Sequence, residues 1–393
     1  MKQYWLAVIF ILLLFFRLQA LPRLELQDGQ LIRVSGILIE EPQISGNRQS
    51  FKVGKIQIWT DQFPERYYGD RVEIVGKVKK LTTGYLLNYP KINITGTTNI
   101  TSIKGVAIKL KNNIRSLFQK YYPSPYDGLL AGIVLGDKSL IPYGSWQDFK
   151  KTGTLHIMVA SGMNIALFSG TVLSFLTIFF KRRIAIIFLF IVIWFYAVMT
   201  GLQPAIIRAA IMASLIYFSQ LVGREAESGR VLWLTGGLML LVNPLWLLDV
   251  GFQLSFLATA GLVYLQPKLA KSKFFLFKYE SFSSSIASQL STMPVLVINF
   301  GSLNLLAPLF NLAILWTIPL ILQGGILVSV LGLFWVKLGE MTAYLLYPLL
   351  FYLERIVRLS AKLTLAQVIL PKMAWWWVVG YYVIVWRWVR KKF

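Results

Sequence analysis

The chain has 393 residues, 56% of them hydrophobic and 15% aromatic, with a formal charge of +23, one histidine and no cysteine. Apolar runs long enough to cross a bilayer core of about 30 Å exclude a soluble enzyme, and the cysteine and histidine counts exclude disulfides, thiolate metal sites and multi-histidine zinc clusters. The positive charge does not by itself indicate nucleic acid, because Lys and Arg collect in the short cytoplasmic loops of any membrane protein.

Residues 3–20 form an apolar run preceded by Lys2 and followed by Arg23, with Arg17 near its end. It reads as a signal peptide or a membrane anchor, and the anchor, over 1–23, is favoured because no clean small-residue cleavage site follows. From 24 to 100 the texture changes to short β-type runs, Leu31–Ile39, Phe51–Trp59, Arg71–Val78, Tyr85–Leu87 and Lys91–Thr95, separated by turn residues. Five strands in about 75 residues suit a small closed barrel of the OB type, with a small β-sandwich as the alternative.

Residues 103–120 place Ile103, Val106, Ala107, Leu110, Ile114 and Leu117 at helical spacing against Lys104, Lys109, Lys111, Arg115 and Lys120. The segment 101–152 is therefore assigned to interfacial helices, with this basic amphipathic one lying on the membrane surface rather than contacting nucleic acid. The rest, 153–393, parses into spans near 155–180, 184–200, 202–222, 231–248, 250–267, 283–300, 303–330, 333–352 and 374–390. Pro308, Pro319 and Pro348 blur the boundaries between 303 and 372. Trp375, Trp376, Trp377, Tyr381, Tyr382, Trp386 and Trp388 crowd the last span as interfacial anchors.

Three cationic loops, Lys181–Arg183, Arg224 with Arg230, and Lys268, Lys271, Lys273 and Lys278, alternate to one side, which the positive-inside rule makes the cytoplasm. The β domain then lies outside the inner membrane and Arg390, Lys391 and Lys392 inside. The fold class expected is a mainly α-helical polytopic membrane protein with a small all-β, OB-fold-like extracytoplasmic domain.

Polar groups at bilayer depth are costly, so those present line a cavity or a helix contact. His156, Ser161 and Asn164 fall in Gly153–Asn164, where Gly162 is placed to break the helix; Gln203-Pro204 leads into a helix carrying Arg208. Asp249, before Gln253, is a candidate partner for that arginine, and Gln289, Asn299, Asn304 and Asn311 sit near helix breaks. Interhelical hydrogen bonding and a structural ion pair are the alternatives to a polar path through His156, Ser161, Asn164, Gln203, Arg208, Asp249, Gln253, Gln289 and Asn311. His156 and Ser161 have no acidic neighbour in sequence to complete a catalytic triad, so no catalytic residue and no enzyme activity are assigned.

Taken in order, these segments resemble the motif series of the ComEC family, the inner-membrane channel of natural transformation. The resemblance runs through Leu130–Gly136, Gly153–Asn164, Gln203-Pro204 with Arg208–Met212, Asn243-Pro244 with Asp249–Phe256, and Pro294, Phe300, Asn311 and Pro319. It implies translocation of single-stranded DNA into the cytoplasm, without a cofactor. Implied partners are the DNA strand, membrane lipids, and a separate receptor, nuclease and cytoplasmic motor or strand-binding proteins.

Two departures matter. The family often has a second histidine where this chain has Asn164, and many members carry a metallo-β-lactamase-like domain for which this sequence lacks the histidines. Strand degradation is therefore expected of another protein. An OB-like domain binds a single strand with cations and stacking aromatics, here Arg33, Arg48, Lys52, Lys55, Trp59, Tyr67, Tyr68, Lys77, Lys79 and Tyr85. The excess is small, 11 Lys and Arg against 8 Asp and Glu over 21–100. The competing assignment is a transporter of small or lipid-linked substrates whose outer β domain serves assembly.

Overall fold

The computed structural model describes residues 26–38, 42–45, 48–54, 56–61, 63–64, 66, 68–81, 84–97, 102–158, 161–272, 274–363, 367–369 and 375–390. The apolar run of 1–23, Lys55, Tyr67, Lys273, Lys391 and Lys392 lie outside the described residues.

The β region is one curled sheet forming an OB-like half-barrel. Its strands are β1 (Leu31–Ile37), β2 (Gln43–Ser45), β3 (Arg48–Val53), β4 (Ile56–Asp61), β5 (Asp70–Leu81), β6 (Gly84–Asn88) and β7 (Lys91–Thr97). They are ordered β1-β5-β6-β4-β3-β2, with β7 also on β5. Period-2 alternation turns Phe51, Val53, Ile56, Ile58, Val72, Ile74, Val78 and Leu87 into one buried cluster. The run Phe51–Trp59, expected as one strand, is a hairpin: Val53 pairs with Ile56 around Gly54, whose φ of +60° favours glycine. β2 was not anticipated, so the strands number seven rather than five.

The helices follow: α1 (Ile103–Tyr121), α2 (Tyr126–Leu135), α3 (Tyr143–Thr152), a 3-10 turn (Leu155–Ile157), α4 (Gly162–Phe179), α5 (Arg182–Met199), α6 (Pro204–Leu221) and α7 (Ser228–Val242). After a second 3-10 turn (Pro244–Leu248) come α8 (Val250–Tyr264), α9 (Gln266–Ala270), α10 (Glu280–Phe300), α11 (Ala307–Ile314), α12 (Thr317–Phe334), α13 (Val336–Ala361) and α14 (Trp375–Arg390). Strands β8 (Ser302–Asn304) and β9 (Gln367–Ile369) pair antiparallel. Among the described residues, four stretches are long and apolar enough to cross a membrane: Leu155–Phe179, Arg182–Met199, Pro204–Leu221 and Thr317–Phe334. Large apolar side chains such as Phe175, Ile178, Ile187, Phe188 and Ile191 are exposed on them, as lipid-facing residues are. The expected span 303–330 is two helices, α11 and α12.

α1 turns one face into the bundle. Its Ala107, Lys111, Ile114 and Phe118 are buried, and it packs against α2, α5 and α12. Lys111 enters this face because Asp137, at the end of α2, meets it at 4.0 Å, with Arg115 at 3.7 Å. Burial raises the Asp137 carboxyl, but Lys111, the Ser139 amide and Arg115 outweigh burial and hold it below its ordinary 3.8.

The proline in α10 explains where α14 docks. Pro294 has no N–H, so the carbonyl of Leu290, one turn back, loses its helical donor. The Tyr381 hydroxyl donates to that carbonyl at 2.8 Å, and Tyr382 donates to Ser291 O at 2.9 Å. The kink and the docked helix thus satisfy each other.

Two outcomes follow for thermal unfolding of the full chain in detergent. Tyr381→Phe should cost about 1 kcal/mol, and most of that cost should vanish in a Pro294→Ala background, where a helical N–H returns. Undiminished cost there would mean the hydroxyl serves something else. Asp137 contributes stability above its unfolded value of 3.8, lost as pH falls through its lower folded value. Wild type should therefore lose stability below pH 3.8 more steeply than Asp137→Asn does.

Candidate functional site

Arg208 lies one turn into α6 and is 6% exposed. Its Nη1 donates to the Thr259 hydroxyl on α8, and the Met212 sulfur is 4.0 Å away. Its Nε is buried with no partner, and no carboxylate among the described residues pairs with it. Its Nη2 stands 2.6 Å from where a Cβ on Gly162 would be, so a side chain there would displace the end of the guanidinium from the first turn of α4. Three helices, α4, α6 and α8, thus converge on one unpaired cation.

A second set of bonds fixes the start of α4. The last carbonyls of a helix lack intrahelical donors, and α2 is buried from Asp127 to Leu135. Gly136 N donates to Gly132 O at 3.1 Å, the Asn164 amide to Ile133 O at 2.9 Å, and the Tyr196 hydroxyl to Val134 O at 2.8 Å. Ser161 Oγ donates in turn to Asn164 Oδ1 at 3.2 Å. Asn164 is therefore a cap shared between helices. Ser161, the residue before α4, makes no side-chain N-cap bond to it.

Asp249 is not the partner of Arg208. It is exposed and caps α8, accepting from Phe252 N at 2.7 Å. Thr259, which Arg208 does touch, is ten residues on, about 15 Å along the helix. Gln253 bonds Leu247 O at 2.8 Å, securing the preceding 3-10 turn, and Gln203 begins α6. His156 is exposed on its own 3-10 turn, its ring nitrogen 3.2 Å from Gly153 O, so it does not share a continuous helix face with Asn164.

The remaining amides tie neighbouring segments. Gln289 donates to Asn304 O at 2.7 Å, Asn304 to Lys151 O at 2.5 Å, and Asn311 to Ser285 Oγ at 2.6 Å. The Asn304 side chain also packs over Gly153, just before the histidine turn. Two polar nodes result, one at Arg208 with Gly162, Ser161 and Asn164, the other at Gly153–His156 with Asn304 and Gln289.

In the β domain the pairing puts Arg48, Lys52, Trp59, Lys77 and Lys79 on the outer face, since each alternates with buried neighbours on its strand. Ser50 pairs with Trp59, and Lys79 with Leu86, which pairs with Gln57 and through it with Lys52. Arg48 lies 5.7 Å over the ring of Tyr89, an aromatic the sequence reading omitted. Arg33 is on the same face but bound to Glu73 at 2.5 Å. Tyr85 is not on it: it packs against the core, its hydroxyl accepting from Leu26 N at 3.1 Å. Tyr68 bonds Ser102 at the start of α1, under Lys104.

Thr259 and Tyr196 were also missed. Nothing in an apolar helix marks one hydroxyl as a partner until the facing helix is known.

The chain is thus a helical membrane protein with an OB-like half-barrel whose outer face is basic, and with a buried cation that no carboxylate among the described residues meets. The chain belongs to the Competence protein family, whose model matches residues 133–391. It is 25% identical over 229 residues to ComE operon protein 3 of Bacillus subtilis, covering 57% of this chain and 29% of that protein. It is also 25% identical over 167 residues to Recombination protein 2 of Haemophilus influenzae, covering 40% of this chain and 21% of that one. The chain thus spans less than a third of these relatives' lengths, and no solved structure matches it.

Stability separates the roles of Asp249 and Asn164. Asp249→Asn should change thermal stability by no more than about 0.5 kcal/mol, since asparagine caps as well as aspartate. A loss of about 3 kcal/mol or more would restore the ion pair with Arg208. Asn164→Leu should cost about 1–3 kcal/mol by orphaning a buried carbonyl.

Proposed function

We propose that this chain is a channel for DNA uptake that passes a single strand across the inner membrane into the cytoplasm. The observation that carries the proposal is membership of the Competence protein family, whose model matches residues 133–391 and so most of the helical domain. The relatives named for a competence operon and for recombination point the same way. The face holding Arg48, Lys52, Trp59, Lys77 and Lys79 supports strand binding by the β domain, because cations compensate phosphates and the indole offers a stacking surface. Binding there is weak and salt-sensitive, as the small charge excess requires.

Orientation follows from the cationic loops. Arg182 Nη2 donates to Gln220 Oε1 at 3.1 Å, and Trp233 Nε1 to the Tyr264 hydroxyl at 3.1 Å. These bonds set the α4–α5 junction beside the end of α6, and the start of α7 beside the end of α8. The charges at Lys181–Arg183, Arg224 and Lys268–Lys278 therefore gather at one end of the bundle, which the positive-inside rule makes cytoplasmic. The β domain is then extracytoplasmic. The polar path through the bundle uses the two nodes, with His156 and Arg208 as its accessible and its buried member.

Two measurements test the proposal. Deleting the gene should leave surface-bound labelled DNA unchanged and remove internalised DNA; undiminished internalisation would end the assignment in favour of a small-substrate transporter. In this cysteine-free chain, Ser50→Cys should react with an impermeant thiol reagent in intact cells and Ser272→Cys should not. The reverse pattern would invert the topology.

A further inference from the structure

We infer that Arg208 and the first turn of α4 form one seat for a phosphodiester oxyanion. A helix N-terminus carries about half a positive charge on its unsatisfied N–H groups. Placing a guanidinium against it is repulsive, and a structural arginine would be met there by a carboxylate. Here the opposite has been built: Arg208 is 6% exposed, its Nε has no partner, and Nη2 is brought against Gly162, the first residue of α4.

The candidate acid is engaged elsewhere, since Asp249 caps α8, and no side chain caps α4: the Ser161 hydroxyl donates to Asn164 instead of accepting from the first-turn amides. The amides of Asn164 and Ile165 donate to Ser161 O at 3.1 and 3.4 Å, while those of Gly162 and Met163 take no side-chain cap, and Nη2 stands against Gly162 with Thr259 and Met212 steering only Nη1. Two positive groups that converge without an acid are complementary to a monoanion with several acceptor oxygens. A nucleic-acid phosphodiester has that chemistry, and a lipid headgroup phosphate shares it.

The inference rests on reading the chain as a DNA channel, but its test reads local charge rather than uptake. The full chain, with Ser161→Cys as sole thiol, is solubilised in non-ionic detergent. Its rates of reaction with anionic and cationic methanethiosulfonates are then compared. The anionic reagent should be favoured by about tenfold, and Arg208→Gln should abolish that preference while Arg208→Lys retains it. Oligothymidylate should slow labelling. Gly162→Ala, which puts a methyl where Nη2 must lie, should weaken this protection at unchanged net charge.

A preference that survives Arg208→Gln in a protein of unchanged unfolding temperature would overturn the seat. Protection by phosphatidylglycerol and not by oligothymidylate would overturn its assignment to DNA. Should the thiol variant not fold, thermal stabilisation of the native chain by oligothymidylate, present in wild type and lost in Arg208→Gln, supports the seat. Equal stabilisation of both overturns it. An Arg208-dependent preference alongside normal DNA internalisation in deleted cells would remove the channel reading and leave the anion seat standing.

Discussion

A buried guanidinium with no acid to meet it constrains the whole helical domain. An ionised group in a low-dielectric interior is strongly disfavoured unless something compensates it. In this chain α6 delivers Arg208, α8 offers a single hydroxyl, and α4 offers the end of its dipole with the wrong sign. The arrangement is held by groups that do not themselves neutralise the charge: the cap on α8, the glycine at the start of α4, and the asparagine that joins α4 to α2.

The sequence made the large-scale organisation legible because its signals are long. Apolar runs, cationic loops and the change of texture near residue 100 survive averaging over many residues, and family motifs in fixed order strengthened them. What it hid were choices made by one or two atoms. Phe51–Trp59 reads as a continuous β run, and only the positive φ at Gly54 turns it into a hairpin. Lys111 reads as part of a solvated stripe until Asp137, 26 residues on, is brought beneath it.

The site shows the same division. Arg208 and Gly162 were recognisable because an arginine in an apolar run and a glycine in a helix each carry a cost that demands a reason. Pairing Arg208 with Asp249 went wrong because sequence gives the inventory of charges but not the rotation of α8. The residue that faces Arg208 is ten positions further along. Asn164 was read as lining a path or joining helices by hydrogen bonds, and its amide completes the C-terminus of α2, a demand invisible without knowing that α2 is buried.

That capping role links the two nodes to the rest of the molecule. α2 ends inside the bundle, so its terminal carbonyls take donors from wherever neighbouring helices supply them, and the donors are Asn164 on α4 and Tyr196 on α5. The start of α4 is thereby positioned by the end of α2, and Gly162 reaches Arg208 only because Asn164, two residues on, is already anchored. α2 is anchored in turn through Asp137 to Lys111 and Arg115 on α1, the helix that leads directly from the β domain. A continuous chain of bonds therefore runs from the base of the half-barrel, where Tyr68 meets Ser102, through α1 and α2 to the first turn of α4.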